Sequence, residues 1–291
     1  MYKRQIQDRS LGRWIGVTAI LTGAGAVFMA IVLVNTPEMF LNAGADAVAA
    51  GRYAYWVGAA MCLLSATLLW LGLSNQKPAA PERSEAWKQL YAGIRAGLDN
   101  PKLMLSYFAA FIGRGDLVII SVFFSLWITQ AGADAGIGTA EALARAGIMF
   151  GIIQLSAMVW APLIGMVADR VNRVTALAFG LSIGAVGYFW MGQVEDPFGS
   201  GMLPAAILLG IGEISVIISA NTLMGQEAAP NIRGAIVGVY GLMGGLGIIA
   251  ATAAGGIAFD QIGRTAPFTM MAILNALLML VALVVRARAR S

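Results

Sequence analysis

Eight stretches of about twenty residues, each nearly free of charge, recur along the chain at about 14–34, 54–74, 104–128, 146–167, 175–192, 203–223, 235–258 and 266–285. A helix of roughly 20 apolar residues crosses a bilayer core. The chain is therefore expected to be an all-α polytopic membrane protein with eight transmembrane helices. Hydrophobic residues make up 59% of it and charged ones 12%, against about 25% charged in a soluble domain. No water-soluble fold hides that much apolar surface, which excludes soluble enzymes and disordered chains. The first stretch is too long for a signal peptide's apolar region and is read as a retained span.

Histidine is absent and Cys62 is the single cysteine. Ser-His-Asp and Cys-His triads, His-ligated zinc and haem are thereby removed, and so is an intrachain disulfide. No catalytic residue, metal or cofactor is expected.

Threading eight spans sorts the basic residues into two sets. One holds Lys3, Arg4, Arg9, Arg13, Lys77, Arg83, Lys88, Arg95, Lys102, Arg170, Arg173, Arg233, Arg286, Arg288 and Arg290; the other holds Arg52, Arg145 and Arg264. Positive residues stay inside. Both termini and the 75–103 loop are therefore expected in the cytoplasm, with the chain in a bacterial inner (plasma) membrane. The basic balance reports topology and gives no reason to invoke nucleic acid.

The 75–103 loop is the long polar segment. It opens on the linker-like Lys77-Pro78-Ala79-Ala80-Pro81. Ser84 is placed to cap a short helix. Trp87, Leu90, Tyr91, Ile94 and Leu98 then share one face at helical spacing. Such a helix suits the lipid bilayer surface; a partner protein is the alternative.

Two spans share a central pattern, Gly113-Arg114-Gly115-Asp116 and Gly210-Ile211-Gly212-Glu213, each followed by apolar residues. They open two successive three-helix groups of opposite direction, the trace an inverted repeat of secondary transporters leaves. A mid-membrane charge costs roughly 2.5–3.5 kcal/mol on insertion scales. One reading makes Asp116 or Glu213 a proton carrier or cation ligand in a pathway; the other pairs Arg114 with one of them between helices. Arg114 and Asp116, two apart, point to nearly opposite sides. Gln154 and Asn221 are weaker pathway candidates, with interhelical hydrogen bonding as the alternative.

After the fourth span comes Gly165-Met166-Val167-Ala168-Asp169-Arg170-Val171-Asn172-Arg173. It resembles the G-x-x-x-D-R-x-G-R-[RK] signature of the major facilitator superfamily (MFS), with Asn172 in place of glycine and Val174 in place of the last basic residue. Asn tolerates a left-handed backbone better than most residues. Gln226-Glu227-Ala228-Ala229-Pro230 with Arg233-Gly234, and Gly255-Gly256-Ile257-Ala258-Phe259-Asp260 with Gly263 and Pro267-Phe268, resemble two later turns of the family. Gly234/Gly238 and Gly241/Gly245 form GxxxG pairs suited to tight crossings.

The resemblance implies alternating access by two six-helix halves around a midplane site. Residues 1–74 would be the last two helices of the first half, 75–103 the inter-half loop, and 104–291 a complete second half. Helices one to four would lie outside this chain, which is then expected not to transport by itself. Met1-Tyr2-Lys3-Arg4-Gln5 matches the translation of a transposon end used in sequencing libraries, so residues 1–5 are read as adapter-derived. In the family the motif's acid engages helix five, which would bring Asp169 to Ser10–Trp14. Gly165, Asp169, Arg170 and Arg173 would then hold a gating state.

The implied function is secondary active transport of a small-molecule solute, with protons as the coupling partner, by a monomer when full length. The solute is not legible. Leu21-Thr22-Gly23-Ala24-Gly25-Ala26 lacks the Gly-Pro of drug–proton antiporters. A polytopic membrane enzyme and a non-transporting sensor or scaffold are the rival classes.

Overall fold

The computed structural model describes residues 39–72 and 83–288, together with 17, 20–25, 28, 32, 36 and 37. Helices fill almost all of it: α1 (Ala47–Gly72), α2 (Arg83–Asp99), α3 (Pro101–Val118), α4 (Phe124–Asp134), α5 (Thr139–Arg170), α6 (Arg173–Gly192), α7 (Met202–Glu227), α8 (Arg233–Gln261) and α9 (Ala266–Arg288). A π-helical turn, Ile119–Phe123, joins α3 to α4 without a break. Among the described residues seven helices are long and apolar enough to span a membrane, with α3 and α4 counted as one. Most of the expected first span lies outside the described residues.

The chain divides into two compact units, Ala24–Arg83 and the remainder. In the smaller, α1 carries no charged residue in its last turn, and Phe40 packs on Tyr53 with ring centroids 5.1 Å apart. The larger unit contains the six spans from Pro101 onward. Large apolar side chains such as Leu155, Val159, Phe189 and Leu277 stand on its outer surface, where a bilayer rather than water is the solvent.

Local chemistry sets the helix boundaries. Pro101 occupies the first turn of α3, where its missing N–H costs nothing, and the Asn100 side chain accepts from Lys102 N and Leu103 N. Asn172 caps α6 by accepting from Val174 N at 3.1 Å. Its φ is −60°, so the left-handed backbone expected there does not form; the residue serves as an N-cap. Gly136 (φ +71°) and Gly263 (φ +155°) supply the positive dihedrals of the turns before α5 and α9.

Within the bundle α7 packs on α5 and α6, α6 on α9, and α3 on α8. Glycines set how close they come. A Cβ on Gly247 would lie 2.0 Å from Phe111 O, one on Gly210 would lie 2.2 Å from Ile153 O, and one on Gly212 would lie 2.7 Å from Gly184 Cα. The GxxxG pairs behave otherwise. Gly234, Gly238, Gly241 and Gly245 meet nothing within 4 Å among the described residues. The tight α3–α8 crossing instead uses Gly244 and Gly247, because these face α3.

Helix α2 starts at Arg83, one residue before the expected Ser84 cap. It packs on the bundle through Leu90 and Ala96, against Leu103, Tyr107, Ile236 and Val239. Tyr107 Oη donates to Gly93 O at 3.0 Å. Leu90 thus leaves the stripe it was grouped with, while Trp87, Tyr91, Ile94 and Leu98 stay exposed.

Polar contacts gather at the two ends of the bundle. At one end Asn100 Nδ2 donates to Glu227 Oε2 at 2.8 Å, Lys102 Nζ lies 3.8 Å from Glu227 Oε1, and Arg286 Nε donates to Thr175 Oγ1 at 3.0 Å. At the other Arg264 pairs with Asp134, and Arg145 lies over the Phe198 ring at 5.2 Å.

Candidate functional site: a buried acid pair inside the bundle

Asp116 sits one helical turn into the core from Ile112 on α3 and is 0% exposed; Glu213 on α7 is 4% exposed. The two carboxyl groups are within electrostatic reach of each other. The Tyr188 hydroxyl from α6 and the Asn275 amide from α9 lie against Asp116 without reaching hydrogen-bond geometry. Four helices thus converge on one polar cluster in an apolar interior. Asp116 Oδ1 and Oδ2, Glu213 Oε2, Tyr188 Oη, Asn275 Oδ1 and, further along α7, Ser219 Oγ are all enclosed without a hydrogen-bond partner among the described residues. Such atoms cost roughly 1–3 kcal/mol each in a fold's stability, so a cluster of them is a candidate functional site.

The local sequence explains the geometry. Gly115, beside Asp116, lets α3 approach Gly247 and Ala251 of α8. Gly212, beside Glu213, meets Gly184 of α6, and a Cβ on Gly184 would come 3.0 Å from Asn275 Oδ1. Asn275 Nδ2 is occupied by the Met271 carbonyl at 2.9 Å. The π-helical turn begins three residues after Asp116, and such turns frequently mark functional positions in helices. Gly255 makes room for it; a Cβ there would meet the Phe123 ring at 2.9 Å.

Arg114 is exposed on the opposite side of α3. Its stem lies against Gly244, where a Cβ would be 2.7 Å from Arg114 Cγ, and Tyr240 of α8 feels its charge. Among the described residues it forms no ion pair with Asp116 or Glu213, so the pairing of the alternative reading is not seen; two residues of separation turn Arg114 away from Asp116. Gln154 is half-buried on α5. Asn221 donates to Ile217 O at 2.8 Å within its own helix, not across helices as one reading held. Gly165 is buried, Asp169 half-buried and Arg170 exposed at the end of α5, with Arg173 opening α6. The expected approach of Asp169 to Ser10–Trp14 falls outside the described residues.

Tyr188 and Asn275 were not anticipated. Asn275 had a signal, as a lone amide in the apolar run 266–285; Tyr188, near the end of its span, had none.

A polytopic helical membrane protein with a buried acid cluster between glycine-packed helices is the class this fold and site define. Residues 1–252 match the family profile of the Major Facilitator Superfamily. The chain belongs to that superfamily. It is similar to the magnetosome protein MamZ of Paramagnetospirillum magneticum, 32% identical over 195 residues, covering 67% of this chain and 30% of MamZ. MamZ of Magnetospirillum gryphiswaldense is 35% identical over 172 residues, covering 59% of this chain and 26% of that protein. The magnetosome protein MamH of P. magneticum is 26% identical over 268 residues, covering 92% of this chain and 59% of MamH. The chain therefore spans less than two thirds of the length of these relatives.

Proposed function

We propose that the protein works as a secondary active transporter by alternating access and that Asp116 and Glu213 couple transport to a proton. The observation that carries this reading is the division of charge on α3. Asp116 turns inward to meet Glu213 with no basic group beside them among the described residues, while Arg114 turns to the exposed side beside Tyr240. Two enclosed carboxyl groups without a counter-cation favour binding of a mobile positive species. Arg114 then serves the solute route, holding an anionic group or balancing charge when the halves rock. Asp169, Arg170 and Arg173 hold one gating state at the membrane face.

The basic residues at the α2–α3 end, with Arg170, Arg173, Arg233, Arg286 and Arg288, support a cytoplasmic assignment for that end. A bacterial inner membrane is the proposed location. The likeness to MamZ and MamH extends this proposal to a membrane associated with the magnetosome. Family membership points to a transporter rather than an enzyme.

The test is proton movement in proteoliposomes loaded with a pH-reporting dye, using the product of the open reading frame at the genomic locus, whatever its length, beside the 291-residue chain. Solutes are added one at a time. Solute-dependent proton uptake is expected from the open-reading-frame product and lost in Asp116→Asn and in Glu213→Gln. Uptake that survives both substitutions sinks the coupling assignment.

A further inference from the structure

The acid pair's partners lie nearer one end of their helices than the other. At about 1.5 Å of rise per residue, Tyr188 is about 6 Å from Gly192 at one end of α6 and about 22 Å from Arg173 at the other. On the same rise Asn275 is about 14 Å from Ala266 and about 20 Å from Arg288. The near end carries a cavity of about 500 Å³, whose walls include Trp127, Gly192, Gln193, Glu195 and Arg264. Arg264 is committed to Asp134. Glu195 forms no ion pair among the described residues and leaves the cavity mouth net negative. Helix α6 also ends there, and the C-terminal end of a helix carries partial negative charge. Such a mouth draws cations, hydronium among them.

Along α4 and α9 the positions between this cavity and the acid pair are held by three rings. Phe124 and Phe268 are fully buried, and Trp127, which also lines the cavity, is 3% exposed. Ring centroids are 5.7 Å apart for Trp127 and Phe268, and 6.3 Å for Phe124 with either. Other directions are closed by backbone. Toward the Arg173 end a Cβ on Gly180 would lie 2.8 Å from Ser215 O, and one on Gly212 would lie 2.7 Å from Gly184 Cα; on the α8 side one on Gly115 would lie 3.2 Å from Gly247 O. Parting those contacts unpacks helices, whereas rings move by rotamer changes. We propose that protons reach Asp116 and Glu213 from this cavity, by a route inside the larger unit, and that Phe124, Trp127 and Phe268 form the dry constriction that gates it. Apolar constrictions gate by excluding water. When the rings part and water enters, a hydronium ion gives its proton to a carboxylate oxygen and remains as water.

The test uses the 291-residue chain in detergent micelles, where both ends of the bundle meet the buffer. Infrared absorption of protonated carboxyl groups is followed while water is exchanged for heavy water. The band belonging to the pair is the one lost in Asp116→Asn and in Glu213→Gln. Phe268→Ala is expected to speed deuterium entry at that band severalfold. Leu177→Ala, an equally buried site on the far side of the pair, is expected to leave the rate unchanged. In a Cys62→Ser background, Gln193→Cys modified with a bulky cationic thiol reagent is expected to slow it. This surface variant keeps the test decisive if Phe268→Ala does not fold. Equal acceleration in both alanine variants, or a rate that ignores the reagent, overturns the route. The route rests on the proton reading of the pair, and the two fail differently. If no carboxyl band disappears in Asp116→Asn and Glu213→Gln, the pair holds no proton, and the reading and the route fall together. If the band is present and its exchange ignores the rings and the cavity, the route alone falls.

Discussion

Arg114 and Asp116, two residues apart, face opposite environments: the guanidinium stem rests on Gly244 at the exposed side of α3, and the carboxyl is sealed in the core beside Glu213. The helix therefore separates a positive side from a negative one. The buried side carries polar atoms without hydrogen-bond partners among the described residues, and these lower stability.

That imbalance makes a stability prediction. Asp116→Asn and Glu213→Gln should leave the unfolding free energy of the detergent-solubilised protein unchanged or raise it, by up to about 1–2 kcal/mol. Thermal unfolding followed by tryptophan emission reads this. A fall of similar size in both variants would show that the pair is structural glue.

The glycines divide into two groups with opposite expected outcomes. Gly247→Ala and Gly210→Ala drive a methyl group into a neighbouring backbone carbonyl and should destabilise by about 1–3 kcal/mol or more. Gly241→Ala and Gly245→Ala meet open space and should be neutral within about 0.5 kcal/mol in this chain. Parallel thermal melts of the four variants separate the groups; equal losses would refute the packing described.

The α6 cap is tested by three substitutions. Asn172→Ala should cost about 1 kcal/mol, Asn172→Asp should retain most of the cap, and Asn172→Gly should cost a few tenths. A gain in stability on Asn172→Gly would instead point to the left-handed backbone that the family signature suggests.

Glu227 ties the start of α3 to the end of α7 by accepting from Asn100 and facing Lys102. Glu227→Ala should speed hydrogen exchange in the first turn of α3, with a loss of about 1–2 kcal/mol. Glu227→Gln keeps an acceptor for Asn100 and should lose less. Similar exchange in both variants would assign the tie to the ion pair rather than the hydrogen bond.

The spans were legible because bilayer thickness imposes a run length that few soluble sequences imitate. Asp116 and Glu213 were legible for the same reason, since a charge inside such a run stands out. Direction was harder to read. Gly241 and Gly245 match a packing motif by spacing, yet Gly244 and Gly247 make the crossing, because the partner's position decides which side of α8 is used. Leu90 fitted the apolar stripe of α2 by periodicity and fitted the bundle by contact; only the fold chooses between them. Tyr188 and Asn275 come from helices remote in sequence, and their meeting at Asp116 is a product of tertiary packing.

The π-helical turn at Ile119–Phe123 holds one residue more than an α-helical turn would. It is slack stored in the backbone, directly beyond Asp116. If that slack migrated toward the N-terminus past Asp116, the intervening residues would shift by one register, about 100° of rotation and 1.5 Å of travel. The carboxyl would turn away from Glu213 toward the place Gly115 now holds against Gly247 and Ala251 of α8. A span pinned to α7 and α8 near one end and held by the Phe124–Trp127–Phe268 aromatic contacts near the other could make that change without its ends moving apart.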